Sequence, residues 1–150
     1  MPTPREFPTL RTEIAGIAVG ELAGQFGTPT FVYDAAMIVA RLGDLAAFDY
    51  VRYAPKACSN LAILDLVRRH GALVDVVSAC EIHRAMAAGY VPMGDPPPII
   101  YTADIFDAEA IDLCLEEKIH VNCGSPGMID QLGSRAPGRQ ITLRINPGFG

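Results

Sequence analysis

One lysine in this chain stands where covalent chemistry could be done, just past a short β-prone run. The chain has two lysines against ten arginines. Lys118 falls near the end of a helical stretch, where a cation is favourable and solvated. Lys56 directly follows Val51-Arg52-Tyr53-Ala54-Pro55 and precedes Ala57-Cys58-Ser59-Asn60. On a period-2 strand Ala54 and Lys56 share a face, and a small residue beside a lysine leaves room for something bulky. Enclosed there, the amine would lose hydration and its neutral form would become more available. A neutral amine attacks an aldehyde to make a Schiff base. By position alone, a snorkelling or ion-paired lysine at a strand end is the favoured reading.

The elements that must hold this lysine repeat along the chain. From residue 50 a short apolar or β-branched run is followed each time by a helical stretch. The runs are Tyr50–Ala54, Ala72–Val77, Ile99–Thr102, Ile119–Cys123 and Ile141–Ile145. The helices between them are expected near Asn60–Arg69, Glu81–Ala88, Asp107–Lys118 and Pro126–Leu132. Counted from Val51, Leu73, Ile99, Ile119 and Ile141, the spacings are 22, 26, 20 and 22 residues. That is one strand, one helix and two short loops, so parallel strands with crossover helices are expected. Upstream, Gly27-Thr28-Pro29-Thr30 signals a turn, Phe31-Val32-Tyr33 reads as a strand, and Ala35–Ala47 carries helical periodicity with Asp34 as its cap. The first 30 residues show no repeat unit.

An open doubly wound sheet and a (β/α)8 barrel both fit this alternation. No G-x-G-x-x-G follows any of the runs, which weakens a dinucleotide-binding reading. The near-equal spacing favours the barrel, whose chemistry sits at the carboxyl ends of its strands. A barrel needs eight strands, so this reading predicts a truncated, partial (β/α)8 barrel of about five parallel βα units with an open edge.

Composition narrows the function classes. Half the residues are apolar and 19% are charged, a folded balance. The net charge of -5 offers no basic field for nucleic acid or an anionic membrane, so a small-molecule partner is expected. Met1–Leu10 lacks a signal-peptide core, and the apolar stretch Ile14–Gly20 stops at Glu21, so a cytoplasmic location is expected. Cys58, Cys80, Cys114 and Cys123 form no CxxC pair and read as free thiols. His70, His83 and His120 lack metal-ligand spacing and read as surface or loop residues, so no metal site is expected.

Four segments resemble one known family. Tyr53-Ala54-Pro55-Lys56-Ala57-Cys58-Ser59-Asn60 resembles the Y-A-V-K-A-N-S-N strand of the alanine-racemase-like, fold type III enzymes that use pyridoxal 5′-phosphate. Val74-Asp75-Val76-Val77-Ser78-Ala79-Cys80-Glu81 resembles their D-V-V-S-G-G-E segment. Thr28-Pro29-Thr30-Phe31-Val32-Tyr33-Asp34 is similar to the entry T-P-x-x-V-Y-D, and Leu143-Arg144-Ile145-Asn146-Pro147-Gly148 to the fifth-strand L-R-I-N-P-G. The last two lean toward the diaminopimelate decarboxylases. Pro55, Cys58 and Ala79-Cys80 depart from the family pattern, and Pro55 removes a ladder donor.

The resemblance implies that Lys56 carries the cofactor and is the catalytic residue, with Asp75, Ser78, Glu81 and Arg144 as further cofactor-binding residues. It implies decarboxylation of meso-2,6-diaminopimelate to L-lysine and carbon dioxide by a homodimer of the full-length family member. Asp75 would hold the lysine's ammonium form. Arg144 would line the pocket and pair with Asp75 or with cofactor oxygens, or else form a structural salt bridge. Ser78 and Glu81 read equally as a helix cap. Gly124-Ser125-Pro126-Gly127 reads as a turn and cap rather than a phosphate site. Residues 1–30 would lead from the family's β-domain, and 31–150 would form the first part of the barrel. The family's glycine-rich phosphate loop normally follows the fifth strand, as do the acid for the pyridine nitrogen and the substrate-binding arginine. The chain taken alone is therefore expected to lack useful activity. Other readings are an inert fragment that only binds, an ornithine- or arginine-type decarboxylase, a racemase or non-catalytic pyridoxal-phosphate barrel, and a cofactor-free lysine aldolase.

Overall fold

The computed structural model describes residues 10–148, so the reading of Met1–Leu10 as lacking a signal-peptide core lies, but for Leu10, outside the described residues. The chain divides into two compact units at Arg41/Leu42. In the first, β1 (Glu13–Ile14) and β2 (Ile17–Ala18) pair antiparallel. The two residues between them, Ala15 and Gly16, have φ of 52° and 78°, as a tight type I′ hairpin requires. Helix α1 (Val19–Phe26) follows and buries Leu22. Neither element was expected from the sequence.

The strand expected at Phe31-Val32-Tyr33 does not form. A three-residue run needs a neighbouring ladder to hold it extended. None pairs with it among the described residues, and Phe31 is 90% exposed. Helix α2 (Ala35–Gly43) is capped as expected: the Asp34 carboxylate accepts from the amides of Ala36 at 2.9 Å and Met37 at 3.3 Å. It stops short of Ala47, and turns fill the interval.

The second unit contains the repeat. Its strands are β3 (Arg52–Tyr53), β4 (Leu73–Val76), β5 (Ile99–Ala103), β6 (His120–Cys123) and β7 (Thr142–Leu143). They form one parallel sheet in sequence order, with α3 (Leu61–Arg69), α4 (Ala79–Ala87), α5 (Ala108–Glu116) and α6 (Pro126–Arg135) as crossovers. A doubly wound sheet reverses its strand order at a switch point. This sheet has no reversal, which is the order of a barrel segment. Each crossover helix begins on a side-chain cap. Asn60 accepts from Ala62 N at 2.9 Å, Ser78 from Glu81 N at 3.3 Å, Asp107 from Ala110 N at 2.7 Å and Ser125 from Met128 N at 3.4 Å. Such caps satisfy amides that a helix start leaves open.

The core lies between the sheet and these helices. Val74, Val76, Ile99, Tyr101, Val121 and Cys123 present one face of the sheet, all nearly or fully buried. Leu64, Ile82, Ala110, Cys114, Met128 and Leu132 cover it from the helices. Tyr101 stacks on Phe106 with ring centroids 5.0 Å apart. None of the four cysteines is in a disulfide, as expected, and burial pushes the Cys114 thiol up to about 12. Among the described residues, no helix is long and apolar enough to cross a membrane.

Candidate active site

Alternation puts the chemistry on the other face. The residues between the core positions are Asp75 on β4, Ile100 and Thr102 on β5, and His120 and Asn122 on β6. Most of these are polar and half-buried. Asn122 Nδ2 donates to Thr102 Oγ1 at 2.8 Å, and His120 Nε2 lies 2.7 Å from Thr142 Oγ1. His120 is therefore an inner-face strand residue, not a surface or loop histidine. Strand register decides this, because His120 opposes Ile100. Burial pulls its pKa down, and Arg139 and Arg52 lower it further. His70, just past the end of α3, and His83 on α4 are exposed, as expected.

At the carboxyl ends of the strands a cavity of about 720 Å³ opens. Lys56, Asp75, Thr102, Asp104 and Arg144 supply its polar lining, with Ala54 and Val77 among the apolar part. The structure thus brings together Lys56, Asp75 and Arg144, which lie far apart in sequence. Ala54 and Lys56 do face the same space, but by a different route from the one expected. Strand β3 ends at Tyr53, and Ala54–Ala57 is a turn closed by Ala57 N donating to Ala54 O at 3.1 Å. Pro55, which cannot donate to a ladder, is buried within it. Lys56 is exposed at the cavity rim, so the expected enclosure of its amine is not found.

Asp75 is the most telling acid. Its Oδ1 is sealed from solvent and has no hydrogen-bond partner. A buried, unsatisfied acceptor costs about 1–3 kcal/mol, which a donor on a bound group would relieve. Its charge is felt by Arg52, whose guanidinium burial pulls down and Asp75 pulls back up. Arg52 itself donates to Val74 O at 3.4 Å.

Arg144 does not pair with Asp75. Its Nη1 lies 3.5 Å from Asp104 Oδ1, an acid the sequence reading passed over. Asp104, Thr102 and Arg52 carried no motif, and their only signal was position at a strand end or alternation along it.

Ser78 and Glu81 do not line the cavity. Ser78 caps α4, and Glu81 Oε2 reaches back to accept from Val77 N at 2.9 Å. This is a variant of the capping box at the exit of β4, with the return bond going to the residue before the cap. Ser125 likewise serves as a cap on α6, as expected.

An arrangement of this kind suits an anionic aldehyde with a polar ring. Lys56 offers the amine, Arg144 a fork of donors for anionic oxygen, and the orphaned Asp75 oxygen an acceptor awaiting a donor. The residues present therefore fit pyridoxal phosphate.

Comparison with known proteins agrees with this fit. Residues 39–150 match the pyridoxal-binding domain of pyridoxal-dependent decarboxylases. The chain is 48% identical over 149 residues to a diaminopimelate decarboxylase of Streptomyces coelicolor, covering 99% of this chain and 34% of the relative. It is 47% identical over 139 residues to the diaminopimelate decarboxylase of Escherichia coli K12, covering 93% of this chain and 33% of the relative. Among solved structures, a diaminopimelate decarboxylase superposes with a TM-score of 0.83 at 49% identity, over 87% of this chain and 31% of that one. The Helicobacter pylori diaminopimelate decarboxylase complexed with L-lysine superposes at 0.73 with 32% identity, over 85% and 34% of the two chains. The chain spans about a third of the length of the curated relatives it matches.

Proposed function

Because this chain belongs to the pyridoxal-dependent decarboxylases, as their pyridoxal-binding domain, we propose that the protein carrying it converts meso-2,6-diaminopimelate to L-lysine and carbon dioxide. Pyridoxal 5′-phosphate is the cofactor, and Lys56 is its point of attachment. The observation that carries this reading is the shared cavity: the amine at the exit of β3 faces the same space as the partnerless Oδ1 of Asp75. The relatives' names favour diaminopimelate over ornithine or arginine as substrate.

When bound, pyridoxal phosphate supplies an electron-accepting ring that takes up the electron pair left as carbon dioxide departs. The chain's own residues prepare that chemistry. Lys56, exposed at the rim, would hold the cofactor through its amine. The Asp75 carboxylate offers its buried oxygen to an ammonium or ring donor, with the Arg52 guanidinium nearby. Arg144 presents guanidinium donors to anionic oxygen. Thr102, held by Asn122, shapes the floor between them. Ser78 and Glu81 contribute by fixing the start of α4 directly after Val77, a cavity-lining residue. Residues 1–30 as a lead from a β-domain, residues 31–150 as the first barrel part, a homodimer and a cytoplasmic site belong to the same reading. Cysteines that form no disulfide support the last of these.

The test uses the full-length protein. With pyridoxal phosphate and meso-diaminopimelate it should release L-lysine and carbon dioxide in equal amounts. Borohydride should trap the cofactor on the peptide containing Lys56, and Lys56→Ala should abolish both signals. Carbon dioxide released from ornithine or arginine but not from diaminopimelate overturns the substrate assignment. Trapping that persists in Lys56→Ala overturns the attachment site.

A further inference from the structure

Three consecutive strands each place one residue at the exit of the sheet: Asp104 after β5, Gly124 after β6 and Arg144 after β7. Strand β6 lies between the other two, yet Asp104 and Arg144 meet at 3.5 Å. A pair spanning an intervening strand needs that strand to carry no side chain at the crossing. Gly124 meets this need. A Cβ there would collide with Asp104 Oδ1 and stand 2.8 Å from Ala103 O. The φ of Gly124 is not in the left-handed region, so space, not conformation, calls for glycine. Ser125 Oγ, the cap of α6, also donates to Asp104 O at 3.3 Å and ties the backbone of that acid to the same notch.

We infer that Asp104 is a positioning residue: its carboxylate, passing over the notch at Gly124, holds the Arg144 guanidinium over the cavity that Lys56 and Asp75 line. An arginine at a strand end otherwise samples many rotamers, and fixing it beforehand lowers the cost of ordering it on a ligand. Of the two acids lining the cavity, Asp104 is the one paired with Arg144, since Asp75 Oδ1 is left without a partner. The inference rests on the cavity's reading as the pyridoxal-phosphate site.

A double-mutant cycle in the full-length protein tests it, with pyridoxal-phosphate affinity read by absorbance titration and each variant melted by circular dichroism. Asp104→Asn should weaken affinity about two- to fivefold, the range of an exposed pair, with the melting temperature unchanged. In an Arg144→Gln background the same change should add nothing, and Asp104→Glu should restore part of the loss. Losses that multiply in the double variant, or an Asp104→Asn affinity equal to wild type, overturn the inference. The pair is also read without cofactor, from the ¹⁵N resonances of the Arg144 guanidinium. Rotation about its Cζ–Nε bond should speed up in Asp104→Asn, and a guanidinium no freer than in wild type overturns the pairing. A wild-type protein that binds no pyridoxal phosphate defeats the cofactor reading instead, and the resonances then decide the pair alone.

Discussion

Removing the Glu81 carboxylate separates two roles that family resemblance and structure assign differently. Resemblance put Ser78 and Glu81 among the cofactor-binding residues, whereas their side chains are engaged in the capping box of α4. Glu81→Ala removes a charge-assisted hydrogen bond of 2.9 Å to Val77 N, worth about 1.5–3 kcal/mol when the donor is left half-buried. Ser78→Ala removes a longer cap bond, of 3.3 Å, worth about 1 kcal/mol. The two bonds close one motif, so the double variant should lose less than the sum. Urea unfolding followed by circular dichroism should show the midpoint falling with unchanged slope, by the larger amount for Glu81→Ala. Pyridoxal-phosphate affinity at low temperature, where both variants stay folded, should change by no more than about twofold, since neither side chain reaches the cavity. A more than tenfold loss of affinity in Glu81→Ala, with its unfolding midpoint untouched, would refute the capping assignment.

Asp75→Asn should leave stability within about 1 kcal/mol, because the lost charge carries no hydrogen bond at Oδ1, while cofactor affinity falls at least tenfold; parallel urea unfolding and absorbance titration check this. Gly124→Ala should free Arg144 as Asp104→Asn does and cost about 1–3 kcal/mol of stability by overpacking, read by urea unfolding and by the Arg144 resonances. Alkaline pH should destabilise the fold. Burial holds Cys114, Tyr90 and Tyr101 neutral with pKa values pushed up to about 12, from 9 for the thiol and 10 for the phenols. Their folded values are raised, so the stability they contribute is fully present below pH 9 and drains away as pH rises toward 12. Unfolding midpoints that stay flat between pH 9 and 11.5 would contradict this burial. Tyr90→Phe should cost about 1 kcal/mol through loss of its buried 2.9 Å bond to Ala72 O, measured by the same unfolding.

Local physics made much of the fold readable in advance. Strand and helix recur every 20–26 residues because one parallel βα unit needs about that much chain, and the five runs do form one parallel sheet in order. Asp34 and Ser125 were legible as caps because a cap depends only on the residues next to it. The place of Lys56 was legible through the words around it. Other features escaped. The Glu13–Ala18 hairpin turns on Ala15-Gly16, and alanine gives no warning of a left-handed φ. Phe31-Val32-Tyr33 has the composition of a strand, but no strand of the described residues pairs with it.

What the sequence alone determined about this protein is therefore its period, the approximate places of its crossover helices, its family and the position of the lysine proposed to hold the cofactor, each written in residues close together along the chain. The tertiary structure alone decided which side chains meet. It gave Arg144 to Asp104 rather than Asp75, turned His120 inward, left Asp75 Oδ1 without a donor and required the gap at Gly124. Those outcomes depend on register between strands some 20 residues apart, where a shift of one residue would turn each side chain to the opposite face.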